Sequence, residues 1–130
     1  MILVDSSVWI DYFNGHRTPR TDKLDALLGV EMLGLGDLIL AEVLCGFRLD
    51  SDFRKAKELL TSLAVFDMLG AENAVRSAEN YRTLRKRGVT VRKTADVMIA
   101  TFCIAGKHAL LFSDKDFVPF VEHLGLRAVS

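Results

Sequence analysis

The sequence predicts an α/β fold, a three-layer α/β/α sandwich on a mainly parallel sheet of about four to five strands. Three observations carry this expectation. Short apolar runs such as ILV near the N-terminus and ALLF at 109–112 lack polar alternation, as strands buried on both faces do. Stretches of helical pattern separate these runs, which calls for right-handed crossovers and helices on both sheet faces. Finally, half of the 130 residues are hydrophobic, enough for one core, so residues 1–130 are expected to form a single domain.

In chain order, Ile2–Val4 reads as the first buried strand, and Ser6 or Ser7 is placed to cap the helix that follows. Val8, Trp9, Tyr12 and Phe13 recur at helical spacing up to the Asn14-Gly15 stop. An aromatic stripe at that spacing is expected to pack in the core or an interface. A short helix is expected over 21–28 after Pro19, a weak strand over 32–36, and a helix over 38–47 capped by Asp37. After a polar break at Asp50-Ser51-Asp52, a helix is expected over 53–62 and a strand over Ala64–Phe66. A long, charged helix over 71–87 ends at Gly88. Thr94 is placed to cap an apolar helix running to about residue 105, with Gly106 at its end. Residues 109–112 form a strand, Asp114 starts a turn or short helix, and 126–129 suit a last edge strand.

Seventeen basic and seventeen acidic side chains cancel, so bulk charge gives no pull toward polyanions, and any nucleic-acid contact must be local. Weak salt dependence of such binding is the consequence. Cys45 and Cys103 both lie in apolar stretches and are expected to be buried free thiols of a reducing, cytoplasmic environment. The most apolar run, 97–106, is too short to span a bilayer, so no membrane role is expected.

Ligands of open parallel sheets bind beyond the carboxyl ends of the strands. Asp5 follows the first strand, and Asp114 and Asp116 follow the strand at 109–112. Glu42 and Asp96 interrupt helices that are otherwise apolar. Taken singly, Asp5, Asp96 and Asp114 are accounted for by helix capping or the helix dipole. Gathered at one sheet edge, they would repel one another unless they held protons or shared a cation. Carboxylate oxygens suit Mg²⁺ or Mn²⁺, and no His or Cys stands at a zinc-like spacing. Such a cluster can activate water toward a phosphodiester and stabilise the leaving oxygen.

Four stretches, MILVDSSVWIDYF, LILAEVLCGF, TADVMIATFC and LLFSDKDF in that order, resemble the PIN-domain ribonucleases. More narrowly, they resemble the VapC-type toxins of type II toxin–antitoxin pairs. The resemblance runs from Met1 to about Phe117. It implies a Mg²⁺-dependent endoribonuclease, with Mn²⁺ able to substitute, that hydrolyses RNA through metal-activated water. It also implies an acidic quartet of Asp5, Glu42, Asp96 and Asp114, with Asp116 as a further acid beside the metal. Ser6, Ser7 and Ser113 fall where the family carries hydroxyls near the metal, although capping explains them as well. The implied partners are an RNA substrate, a cognate VapB-type antitoxin and a second copy in a homodimer.

Arg82, Arg85, Lys86 and Arg87 fit the solvated C-terminal end of a helix. Arg92 and Lys93, immediately before the Asp96 helix, are candidates for RNA phosphate contacts. His16, His108 and His123 are scattered and expected to be surface or capping residues rather than catalysts. A phosphatase or phospho-receiver would place a second Asp where Ser6-Ser7 stands, which argues against it. The alternative from another class is a PIN-like domain that binds RNA or protein without catalysis.

Overall fold

A computed structural model describes residues 1–129. Its five-stranded sheet comprises β1 (Ile2–Val4), β2 (Leu33–Gly36), β3 (Ala64–Phe66), β4 (Ala109–Leu111) and β5 (Arg127–Ala128). The spatial order is β3-β2-β1-β4-β5, and each neighbouring pair runs parallel. Ile2 lies opposite both Leu33 and Ala109, so β1 is the central strand. Successive strands step outward from β1 to β3, and the chain then crosses back to β4 on the other side of β1. The gap between β1 and β4 is therefore the topological switch point, where open parallel sheets place their ligands.

Helices α1 (Ser6–Phe13), α2 (Pro19–Leu27), α3 (Asp37–Leu44), α4 (Asp50–Thr61), α5 (Gly70–Lys86), α6 (Thr94–Gly106) and α7 (Val118–Leu124) flank the sheet. This is the expected α/β/α sandwich, with a fully rather than mainly parallel sheet. Leu3, Val4, Leu35, Leu110 and Leu111 from the inner strands bury against Trp9, Ile39, Ile99 and Phe120 from the helices. The edge strands are short and largely exposed, which limits their use as pairing templates.

Several local expectations change. Asp5, not Ser6 or Ser7, caps α1, because its side chain reaches forward to the Ser7 N–H. Thr18 opens α2 with a reciprocal capping box to Thr21, so the helix begins at Pro19 rather than Thr21. Asp37 sits inside the first turn of α3; its Oδ1 accepts from the N–H of Leu38 at 2.9 Å and of Met68 at 3.0 Å, tying α3 to the chain after β3. The acids at 50–52 form the first turn of α4, where the helix dipole favours them. Lys93 occupies the cap position of α6 in place of Thr94, and Lys107 takes the left-handed turn at its end (φ 57°). Gly106 is needed for another reason: a Cβ there would lie 2.5 Å from the His108 imidazole. The α7 helix was not anticipated; it is seven residues long and has Pro in its first turn.

The aromatic stripe packs as expected. Trp9 is fully buried, stacks on Phe13 at 5.9 Å between ring centroids and meets Tyr12 edge-on. Only one cysteine is buried. Cys103 faces the core from α6, whereas Cys45 is exposed at the C-cap of α3, where the helix runs out past the core. His16 and His123 lie at the surface, while His108 is half-buried against Phe66 and Phe102. Among the described residues, no helix is long and apolar enough to cross a membrane.

Candidate metal centre

The residue after β1 is held firmly. The Asp5 N–H donates to the Leu111 carbonyl at 2.9 Å, which extends the β1–β4 ladder to the first acid. Its Oδ2 accepts from the Ser7 hydroxyl at 2.9 Å and weakly from the Ser7 N–H at 3.5 Å. Its Oδ1 is buried without a hydrogen-bond partner among the described residues. Burial pushes the Asp5 carboxyl above its ordinary pKa; hydrogen bonds from the Ser6 and Ser7 region oppose the rise, and the Asp114 charge adds to it.

Asp96 arrives from the other side of the switch point, in the first turn of α6. Only 5% of its surface is exposed, and its Oδ2 also lacks a partner among the described residues. Burial first, then the charges of Asp5 and Asp114, push this carboxyl up to about 6. Two buried carboxylate oxygens without donors are costly in a folded chain. They are the signature expected of groups waiting for a cation or a proton.

Beyond β4, Asp114 is extended (φ −69°, ψ 123°) and caps a 3-10 turn, Lys115–Phe117. Its Oδ1 accepts from the Asp116 N–H at 2.9 Å. That cap folds the chain back, so Asp116 joins Asp114 instead of diverging from it. Ligand atoms of Asp96, Asp114 and Asp116 all lie within 4.8 Å of one another. These three acids are thus close enough to share one ion.

The four acids expected as a quartet do not form a single ligand-distance group. Asp5 is turned toward its own helix by Ser7, although it lies near enough to raise Asp96 electrostatically. Glu42 is exposed on α3, one turn from the helix end, and is not the buried helix acid that its apolar neighbours implied. Partial burial and then the Asp5 charge raise its carboxyl, while the Ser6 hydroxyl and Lys93 pull it back. Glu42 therefore faces the same centre from its rim. Ser7 supports an acid directly and Ser6 stands beside Glu42; Ser113 is exposed and borders a neighbouring cleft.

Arg92 and Lys93 lean over the cluster. Lys93 Nζ lies 3.5 Å from Asp114 Oδ2, and the Arg92 guanidinium lies 3.8 Å from Asp116 Oδ1. Both cations are well exposed, so these are weak, exchangeable pairs. The nearby Asp96 and Asp114 charges raise the Lys93 ammonium further, keeping it protonated.

The three clustered acids fit a hard divalent ion: they offer carboxylate oxygens only, Asp96 carries a buried and unpartnered one, and no thiolate or imidazole stands among them.

The sequence matches the PIN domain family over residues 2–120. It is 28% identical over 132 residues to VapC ribonuclease Mb1587 of Mycobacterium bovis, covering 100% of this chain and 98% of that protein. Ribonuclease VapC11 of Mycobacterium tuberculosis gives the same identity and coverage. In fold, the chain is similar to VapBC2 from Rickettsia felis bound to a DNA fragment from their promoter, with TM-score 0.77, 19% identity and coverage of 99% and 98%. FitAB bound to an IR36 DNA fragment gives TM-score 0.78 at 16% identity, covering 99% of this chain and 94% of that one. With its acids gathered at the switch point of a parallel sheet and this match spanning most of its length, the chain belongs to the PIN domain family.

Proposed function

We propose that this chain, acting as a single domain, is a Mg²⁺- or Mn²⁺-dependent endoribonuclease and the toxin of a toxin–antitoxin pair. The observation that carries the reading is the convergence of Asp96, Asp114 and Asp116 beside the unpartnered Oδ1 of Asp5. Asp96, Asp114 and Asp116 would hold the ion, Asp5 would complete the set, and Glu42 would act at the rim as a ligand or through water. When bound, a divalent ion supplies Lewis-acid activation of water and neutralises charge on the phosphate oxygens. The chain's own contribution is to fix the acids on rigid elements: the Leu111 carbonyl and Ser7 anchor Asp5, and the 3-10 cap anchors Asp114.

Arg92 and Lys93 supply the phosphate contacts in this reading. In the free protein they neutralise Asp116 and Asp114; with a divalent ion among the acids, that pairing is no longer needed and both cations can turn to the RNA backbone. A neutral chain thereby acquires a local site for a polyanion. Similarity to VapC ribonucleases over the full chain supports the activity. The fold likeness to VapBC and FitAB complexes supports a cognate antitoxin of the VapB type, and a homodimer is the assembly we expect.

The test is cleavage of a labelled RNA panel with Mg²⁺, Mn²⁺ or EDTA, comparing the parent with Asp5→Asn and Asp96→Asn. Cleavage that needs metal and falls by at least about a hundredfold in each variant is expected. Metal-independent cleavage, or cleavage that survives both substitutions, would sink the mechanism. A chain that binds RNA but never cleaves it would be the non-catalytic alternative. Growth arrest on expression, relieved by Asp5→Asn or by a co-expressed antitoxin, tests the toxin role separately.

A further inference from the structure

We propose that the cleft beside the acidic cluster is a nucleotide subsite, which seats the base and phosphate of the RNA residue next to the scissile bond and prefers guanine. This rests on the ribonuclease reading above. The cleft measures about 730 Å³, within the range of small-ligand sites. Asp11 of α1, Arg20 at the start of α2, Phe112 and Lys115 beyond β4, and Pro119 of α7 wall it. It neighbours the metal centre without sharing a lining residue with it: Ser113 and Lys115, which line the cleft, flank Asp114 in the chain. A strand whose phosphate reaches Asp114 has its adjacent nucleotide within reach of the cleft in this proposal.

The chemistry of the walls matches a nucleotide. Arg20 and Lys115 are exposed and, among the described residues, pair with no carboxylate, whereas Arg17, Arg92 and Lys93 each do. Two uncommitted cations on one cleft are donors for phosphate oxygens. Between them lies an apolar floor: Phe112 is half-buried, its ring set 5.3 Å from the fully buried Phe117, which holds it in place. A fixed aromatic beside proline offers a surface on which an unstacked base can rest.

Asp11 supplies discrimination. Its Oδ1 lies 3.6 Å from His16 Nδ1, and the carboxylate otherwise faces the cleft as an acceptor. Guanine presents two adjacent donors, N1–H and the 2-amino group, to a single carboxylate. Uracil presents one donor between two carbonyls and is repelled, and adenine or cytosine offers only its amino group.

The experiment uses the full chain with Mg²⁺ and labelled oligoribonucleotides varied one position at a time around the mapped cleavage point. Guanine at one flanking position is expected to raise kcat/KM about tenfold over uracil, and Asp11→Asn to flatten that preference. Arg20→Ala and Lys115→Ala should each raise KM about three- to tenfold and lower the log–log salt slope by about 0.7, as for one lost phosphate contact. Arg76→Ala on α5 serves as the control cation and should change none of these. A parent with no base preference, or cleft variants with unchanged KM and salt slope, would overturn the subsite.

If the parent cleaves no RNA at all, the ribonuclease reading has failed on its own. Fluorescence anisotropy of short guanine- and uracil-bearing oligonucleotides in EDTA then decides the cleft. Tighter guanine binding that Arg20→Ala and Asp11→Asn abolish upholds it, and equal binding refutes it. Variants that lose antitoxin binding but keep their RNA preference would assign the cleft to a protein, also against the proposal.

Discussion

Replacing Asp96 with Asn should stabilise the metal-free protein while removing the proposed ribonuclease activity. Asp96 is 5% exposed, carries an unpartnered oxygen, and has its carboxyl pushed up to about 6 from an ordinary value of 3.8. The folded chain thus holds this proton to a higher pH than the unfolded chain does. Folding is helped by the protonated group at low pH, and that help is lost as pH rises from about 4 through about 6. At about 1.4 kcal/mol per pKa unit, the ionised carboxylate weakens folding by up to about 3 kcal/mol at pH 8. Water at the rim screens part of this, so a gain of about 1–3 kcal/mol is expected for Asp96→Asn. For a chain of this size that is a Tm increase of about 4–12 °C.

The assay is thermal unfolding in EDTA at pH 8, 6.5 and 5. The advantage of the variant should shrink by about half at pH 5, where the folded parent is mostly protonated. Added Mg²⁺ should raise the Tm of the parent and leave the variant where it was. An Asn variant less stable than the parent at pH 8 without metal would refute the electrostatic account. So would a gain that does not change with pH.

Other outcomes follow from the same geometry. Lys93→Ala removes a cation that competes for Asp114, so Mn²⁺ affinity by titration calorimetry should rise severalfold while KM for RNA also rises; a parallel loss of both would argue against exchange of partners. Gly36→Ala places a Cβ against the Met68 side chain and should cost about 1–3 kcal/mol in urea unfolding, with most of the loss recovered in Gly36→Ala/Met68→Ala relative to Met68→Ala alone. Trp9→Ala empties a fully buried site under α1 and should cost about 3–5 kcal/mol. In thiol titration of the native protein, exposed Cys45 should react promptly, while Cys103, buried and pushed up to about 12, should react only on unfolding.

Periodicity and turn residues were enough to reveal the strands, because a strand buried on both faces has little choice but a continuous apolar run. They also revealed the core role of Trp9 and the long α5, whose apolar spacing is local. The α7 helix escaped notice because its seven residues follow a 3-10 turn and contain proline, leaving too short a window for helical spacing to show. Cys45 and Glu42 were misjudged for a related reason. Their neighbours in α3 are apolar, but a short helix buries only one stripe, and Ile39 and Val43 occupy it.

The acids of the candidate metal centre were visible in the sequence as carboxylates at strand ends and inside apolar helices. What only the tertiary structure decided was which of them meet. Parallel pairing of β1 with β4 puts Asp5 and Asp114 on either side of the switch point, and α6 returns Asp96 to it from a distance in sequence. The choice among Asp114, Asp116 and Glu42 turned on one capped 3-10 turn and on how far α3 extends past the core. Local pattern records what a residue is and which face it shares with its neighbours. The distance between two carboxylates depends on the register of strands far apart in the chain, and no local pattern records that.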